Sequence, residues 1–207
     1  MILKQNSTLL FQGDSVTDCQ RNRENDNEVG NSYVSIIKEY LSKYNIKVIN
    51  RAIAGNRVDH LLNRFDKDFK EVNPDNLILL IGVNDTWHDY PNSKKTSVFE
   101  EQFELLISKI KQEMNCNIMI LEPFILGFKQ EYIIMRDDLN EKINVIKKIT
   151  NKYNIEYLSF ENDFNNLITK ENEEEYSLEG IHPLPKGYQV MANKIISNLQ
   201  IENLGSK

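Results

Sequence analysis

Short unbroken apolar runs alternate along the chain with longer stretches in which apolar residues recur every three or four positions. The runs are Leu9-Leu10-Phe11, closed by Gly13, and Val48-Ile49, followed by Ala52-Ile53-Ala54. Leu77 to Ile81 is a third, Ile118 to Leu121 a fourth stopped by Pro123, and Ile155 to Leu158 a weaker fifth. Continuous rather than alternating apolarity predicts strands covered on both faces, as in a parallel sheet. The helical period appears in Tyr33, Ile36, Ile37, Tyr40 and Leu41, and again in Val58, Leu61, Leu62 and Phe65. It returns in Phe99, Phe103, Leu106, Ile107 and Ile110, then in Leu139, Ile143, Ile146 and Ile149, with a last helix from about Tyr188 to Leu199. Strand–helix alternation of this kind predicts an open α/β sheet with helices on both faces. Right-handed crossovers then bring the loops that follow the strands to one edge, where such sheets bind ligands. No internal repeat or Pro- or Gly-rich linker interrupts the pattern, so residues 1–207 are expected to form one domain. The acidic run Glu171 to Glu175 reads as a solvated loop.

Composition narrows the function. The 25 Lys and Arg against 31 Asp and Glu leave a net charge of −6. Nucleic acid is not an expected partner, because it needs clustered cations to displace its counterions. No window approaches the roughly 18–20 apolar residues that cross a bilayer. Met1 to Leu10 lacks the pattern of a signal peptide, and a cytoplasmic location without membrane partners is expected. Cys19 and Cys116 are too few for a disulfide framework. No two of His60, His88 and His182 have metal-ligand spacing, so no metal and no cofactor are expected. A homo-oligomer remains open.

Several loops at the predicted ligand edge carry reactive residues. The first strand runs into Gly13-Asp14-Ser15-Val16-Thr17-Asp18. A serine just past a strand end is placed as a nucleophile, but it also fits a helix cap. A flavin-type phosphate loop is opposed by Asp14 and Asp18, which no Lys offsets. Gly55, in Ala54-Gly55-Asn56-Arg57, has an N–H that can approach an oxyanion closely, although a turn glycine reads the same way. Asn84, in Gly82-Val83-Asn84-Asp85-Thr86-Trp87, offers an amide donor or a turn residue. Trp87 and Tyr90 sit where they can stack on a sugar ring, or simply pack. His182, in Glu179-Gly180-Ile181-His182-Pro183, is the candidate base, since imidazole is partly neutral near pH 7. Glu179, three positions earlier, can fix its tautomer. A nucleophile, oxyanion donors and a base with an orienting carboxylate make a complete set for acyl transfer. Asp18, Arg21, Arg57 and Asp85 are expected to tie the edge loops together. Arg136 is a further candidate at the start of the fourth helix, and His60 and His88 read as surface residues.

Gly13-Asp14-Ser15, Gly55-Asn56, Gly82-Val83-Asn84-Asp85 and Glu179-Gly180-Ile181-His182-Pro183, in that order, resemble the four motif segments of the SGNH (GDSL-type) hydrolases. Asn84-Asp85-Thr86-Trp87 and Glu122-Pro123-Phe124 look like the small bacterial branch that includes carbohydrate acetylesterases of the xylan-deacetylating type. The resemblance spans about Leu9 to Ile195. It implies a flavodoxin-like three-layer α/β/α fold with a five-stranded parallel sheet, nucleophile Ser15, base His182, and an oxyanion hole of the Ser15 N–H, the Gly55 N–H and Asn84. The implied activity is hydrolysis of short acyl esters, with an acetylated oligosaccharide as preferred substrate and a small-molecule ester as the simplest one. Longer-chain lipase or thioesterase activity, and a non-catalytic carbohydrate- or flavin-binding module, are the alternatives. The family has Asp three residues before its His, where this chain has Glu179.

Overall fold

The computed structural model describes residues 1–202. Its strands are β1 (Ile2–Lys4), β2 (Thr8–Gly13), β3 (Lys47–Asn50), β4 (Asn76–Leu80), β5 (Asn117–Leu121), β6 (Glu156–Leu158) and β7 (Gln200–Glu202). Its α-helices are α1 (Ser15–Asp18), α2 (Tyr33–Leu41), α3 (Val58–Asn63), α4 (Val83–Trp87), α5 (Thr96–Glu113), α6 (Gln130–Ile133), α7 (Arg136–Lys152), α8 (Glu161–Leu167) and α9 (Pro185–Ser197).

The five apolar runs form one parallel sheet in the order β3-β2-β4-β5-β6. The result is α/β, with the five-stranded sheet between helix layers and the flavodoxin strand order. Period-2 geometry divides each strand between two cores. Leu9, Phe11, Ile78, Leu80, Met119 and Leu121 face α2 and α9, where Tyr33, Ile37, Met191 and Ile195 are fully covered. Leu10, Leu77, Leu79, Ile118 and Ile120 face the layer of α3, α5 and α7. Burial of both faces explains why these strands show no polar alternation.

Three expectations need correction. The second helical pattern does not continue through Phe65: α3 ends at Asn63, and Asp66–Lys70 winds as a wide π turn. There Arg64 reaches the Arg51 carbonyl (2.8 Å), Asn56 (2.8 Å) and Asp68 (2.9 Å). The last helix starts at Pro185 rather than Tyr188, because proline suits a first helical turn, whose N–H groups have no intrahelical partner. The acidic run is not simply a solvated loop. Glu173–Glu175 form a 3₁₀ turn, Glu173 accepts from the Phe128 N–H at 2.6 Å, and Glu175 pairs with Lys186. Those partners lie far away in sequence and leave no local pattern. The small parallel pair β1–β7 is likewise too short to have a period.

The strand order reverses between β2 and β4. The chain leaving β2 passes to the face of α2, whereas those leaving β3 and β4 pass to the face of α3 and α5; because β2 lies between β3 and β4, the three segments carrying Ser15, Gly55 and Asn84 open on one crevice.

Candidate active site

Gly13 ends β2 opposite Leu80 of β4. Its φ is +155°, and a Cβ there would stand 2.3 Å from the Leu80 carbonyl oxygen, so only glycine allows this close approach. Asp14 then caps α1: its side chain accepts from the Val16 N–H at 3.0 Å. The cap is therefore Asp14 and not Ser15, which leaves the Ser15 hydroxyl free. That hydroxyl lies 2.7 Å from Nε2 of His182, across 167 residues of chain.

His182 is held from its other side. Nδ1 is 2.6 Å from Oε1 of Glu179. The same oxygen accepts from the His182 N–H (2.7 Å), while Oε2 accepts from the Ile181 N–H (3.1 Å). The longer glutamate side chain thus folds back onto its own loop and still presents an oxygen to the imidazole. Burial would raise the Glu179 carboxyl, but the hydrogen bonds from the His182 ring and backbone outweigh it and hold the group below its ordinary value. The Glu179 hydrogen bond in turn raises His182 above the usual imidazole range, against the opposing effect of burial.

The oxyanion candidates converge from the two flanking loops. Gly55 has φ +78°, a left-handed conformation that suits glycine, and Asn56 rather than Gly55 closes the turn, donating to the Ile53 carbonyl at 3.1 Å. Asn84 is buried in α4 and donates one amide hydrogen to the Asn56 carbonyl at 3.1 Å. That bond fixes Asn84 against the Gly55 turn and leaves its second amide hydrogen for another acceptor. Ser15 itself begins α1, between the loops that carry Gly55 and Asn84.

Three of the expected bracing residues, Asp18, Arg21 and Asp85, tie the edge loops by hydrogen bonds, while Arg57 makes only longer ion-pair contacts. Asp18 accepts from the Ala54 N–H (2.8 Å) and from Arg23 (2.9 Å), and Arg21 donates to the Ala52 carbonyl (2.7 Å). Asp85 accepts from the Val58 N–H at 3.3 Å and pairs with Lys94 at 2.6 Å. Arg57 stands 3.7 Å from Asp59 and 3.6 Å from Asp89. Lys94, which also pairs with Asp59 at 2.6 Å, has no signal in the sequence that marks it. The capping role and burial of Asp14 likewise have no mark in the sequence. Asp14 is 1% exposed, burial pushes its carboxyl up to about 7, and the Val16 N–H and His182 pull the other way.

The remaining candidates differ in what they touch. A cavity of about 440 Å³ opens beside Ser15 and His182, walled by Cys19, Pro183, Leu184 and Tyr188. Trp87 is not one of its walls. Its ring lies 5.8 Å from the His182 ring and edge-on to Tyr132 at 6.4 Å. Tyr90 is not a wall either, and its hydroxyl donates to the Ile134 carbonyl at 3.0 Å. Arg136 donates to the Ile125 (3.1 Å) and Gly127 carbonyls and does not wall the cavity at Ser15. His60 accepts from the Arg57 N–H at 3.1 Å, and His88 is exposed. Among the described residues, no group of three or more His, Cys, Asp or Glu could hold a metal ion.

Residues 11–190 match the model of the GDSL-like lipase/acylhydrolase family. The chain is 27% identical to the acetylxylan esterase of Geobacillus stearothermophilus, over 96% of each protein. The crystal structure of that organism's acetylxylan esterase Axe2 superposes with a TM-score of 0.81 at 26% identity, covering 92% of this chain and 93% of Axe2. Catalytic mutants of Axe2 have been solved with alanine in place of a serine, an aspartate and a histidine. A GDSL-like protein of Parabacteroides merdae matches with a TM-score of 0.85 at 29% identity, over 94% and 96% of the two chains.

Proposed function

Because the chain belongs to the GDSL-like lipase/acylhydrolase family and is a carboxylic ester hydrolase, we propose that Ser15, His182 and Glu179 are its catalytic triad and that its substrate is an acetylated oligosaccharide such as acetyl-xylo-oligosaccharide. The contact that carries the reading is Ser15 Oγ to His182 Nε2 at 2.7 Å, with His182 Nδ1 at 2.6 Å from Glu179. His182 takes the Ser15 proton as Ser15 attacks the acyl carbonyl, and Glu179 stabilises the imidazolium that forms. The developing oxyanion accepts from the Ser15 N–H, the Gly55 N–H and the Asn84 amide. His182 then gives its proton to the leaving alcohol, and water activated by the same ring cleaves the acyl-enzyme.

The acetyl and sugar assignments draw on the acetylxylan esterase relative. A second reading has its own support. The cavity beside Ser15 is about 440 Å³ and is walled largely by apolar side chains, which is room for a longer acyl chain. One panel separates the two: p-nitrophenyl acetate through decanoate plus acetylated xylo-oligosaccharides, each with wild type and Ser15→Ala. Activity confined to short esters, with release of acetate from the oligosaccharide, is expected. A steep rise in rate toward decanoate transfers the assignment to a lipase or thioesterase. Ser15→Ala is expected to lose on the order of 10⁴–10⁶ in turnover, and wild-type turnover in that variant rejects the triad. We read residues 1–207 as one domain acting in the cytoplasm, and no helix among the described residues is long and apolar enough to cross a membrane.

A further inference from the structure

A second cavity, of about 460 Å³, opens where β5 and β6 end, between α7 and α8. It contains none of Ser15, His182 or Glu179, and the ester reaction leaves it without a role. One wall is a single row on α7. Arg136, Asn140 and Asn144 are spaced by four residues and so stand one above another on the same helix face. Asn165 of α8 lies on the opposite wall. The floor carries Phe124, whose ring packs against Phe164 at 5.3 Å.

The polar groups here differ in how far they are already satisfied. Glu122 is 4% exposed, accepts from Ser159 at 2.6 Å and from Tyr157, and pairs with Lys147 at 3.0 Å. It has little capacity left for a cation. The three asparagine side chains are exposed, and each amide keeps both donors and an acceptor for a ligand. Arg136 uses its guanidinium on two backbone carbonyls, with no carboxylate within ion-pair distance among the described residues. The charged groups of the lining are Glu122, Glu161, Arg136 and Lys147, two of each sign. A strongly anionic ligand finds no net attraction in such a cleft.

We infer that this cleft is a second binding site, taking a neutral oligosaccharide. Hydroxyl groups are at once donors and acceptors, which carboxamides match in both senses, and the aromatic floor suits the apolar face of a sugar ring. The segment from Pro123 to Gly127 walls the cleft and also supports the catalytic loop, because the Leu126 N–H donates to the Gly180 carbonyl at 2.6 Å. A saccharide chain held here lies one loop away from His182.

The test is calorimetric titration of the full chain, with Ser15 blocked by a fluorophosphonate, against xylohexaose, cellohexaose and mannohexaose. Binding of at least one, with Kd between about 0.1 and 1 mM, is expected to persist in the blocked protein. The double variant Asn140→Ala/Asn144→Ala, with its fold checked by circular dichroism, is expected to bind at least about tenfold more weakly. Absence of binding by all three, binding unchanged in the double variant, or binding that disappears when Ser15 is blocked overturns the inference. Failure of the fluorophosphonate to label the protein counts against Ser15 as nucleophile and not against the cleft. The titration then runs on unblocked protein, and the double variant still decides.

Discussion

The two large cavities are nearly equal in size, about 440 and 460 Å³, yet their chemistry is opposite. Beside Ser15 the walls are mostly apolar, and the few polar groups converge on one point, each oriented by another. Glu179 orients His182, His182 meets Ser15, and the Asn56 carbonyl fixes Asn84. At the β5–β6 end the buried carboxylate of Glu122 is saturated by Ser159, Tyr157 and Lys147, while the amides of the rim have no protein partner in their way. Reaction needs groups fixed on a transition state, whereas recognition of a polyol needs donors and acceptors spread over a surface. Cavity volume alone does not tell these apart; the degree to which each polar atom is already paired does.

The sharpest break of the comparison is at Glu179. Glu179→Ala should lower kcat on p-nitrophenyl acetate by on the order of 10⁴, because the imidazole loses its tautomer and orientation. A mild loss assigns the carboxylate little of the catalysis, and steady-state kinetics with circular dichroism as a fold check decides it.

Asp14 tests the opposite sign, since its carboxyl is raised to about 7 by burial. A raised acid favours the folded state when protonated, so its cost grows as pH rises from the unfolded value near ~4 through the folded one. Asparagine keeps the capping oxygen without the charge. Asp14→Asn should therefore be more stable than the parent by up to roughly 4 kcal/mol at pH 8, the advantage vanishing near pH ~3. Urea denaturation at the two pH values measures the difference, and an equal effect at both removes the buried charge as its cause.

Asn84→Ala should cost on the order of 10²–10³ in kcat with KM little changed, the mark of a donor used in the transition state. A change in KM alone assigns Asn84 to ground-state binding. The smallest effect is on pH dependence. His182 must be neutral to accept the Ser15 proton, and Glu179 raises its pKa, so activity should fall as pH drops through that raised value. Glu179→Gln should move the acid limb of the kcat/KM profile to lower pH, even as the rate declines. A limb that stays in place separates the titration from the Glu179 contact.

Much was legible in the chain because parallel strands covered on both faces must be apolar throughout. Leu77 to Ile81 and Ile118 to Leu121 announced the centre of the sheet, and helical period located α2, α5 and α7. The residues around Ser15 were legible because strand ends in such a sheet share an edge. Pairings that join distant segments were not. That Glu173 braces Phe128, that Tyr90 is tied to Ile134, and that Arg136 is held by the Ile125 and Gly127 carbonyls depend on partners no local pattern encodes. The sequence by itself determined the five strands of the sheet, the long helices that cover both its faces and the residue types at the ligand edge, since these follow from periodicity and backbone chirality. Only the tertiary structure decided that a glutamate one methylene longer still meets the imidazole, and which polar atoms remain unpaired, because hydrogen-bond partners are selected by distances in space.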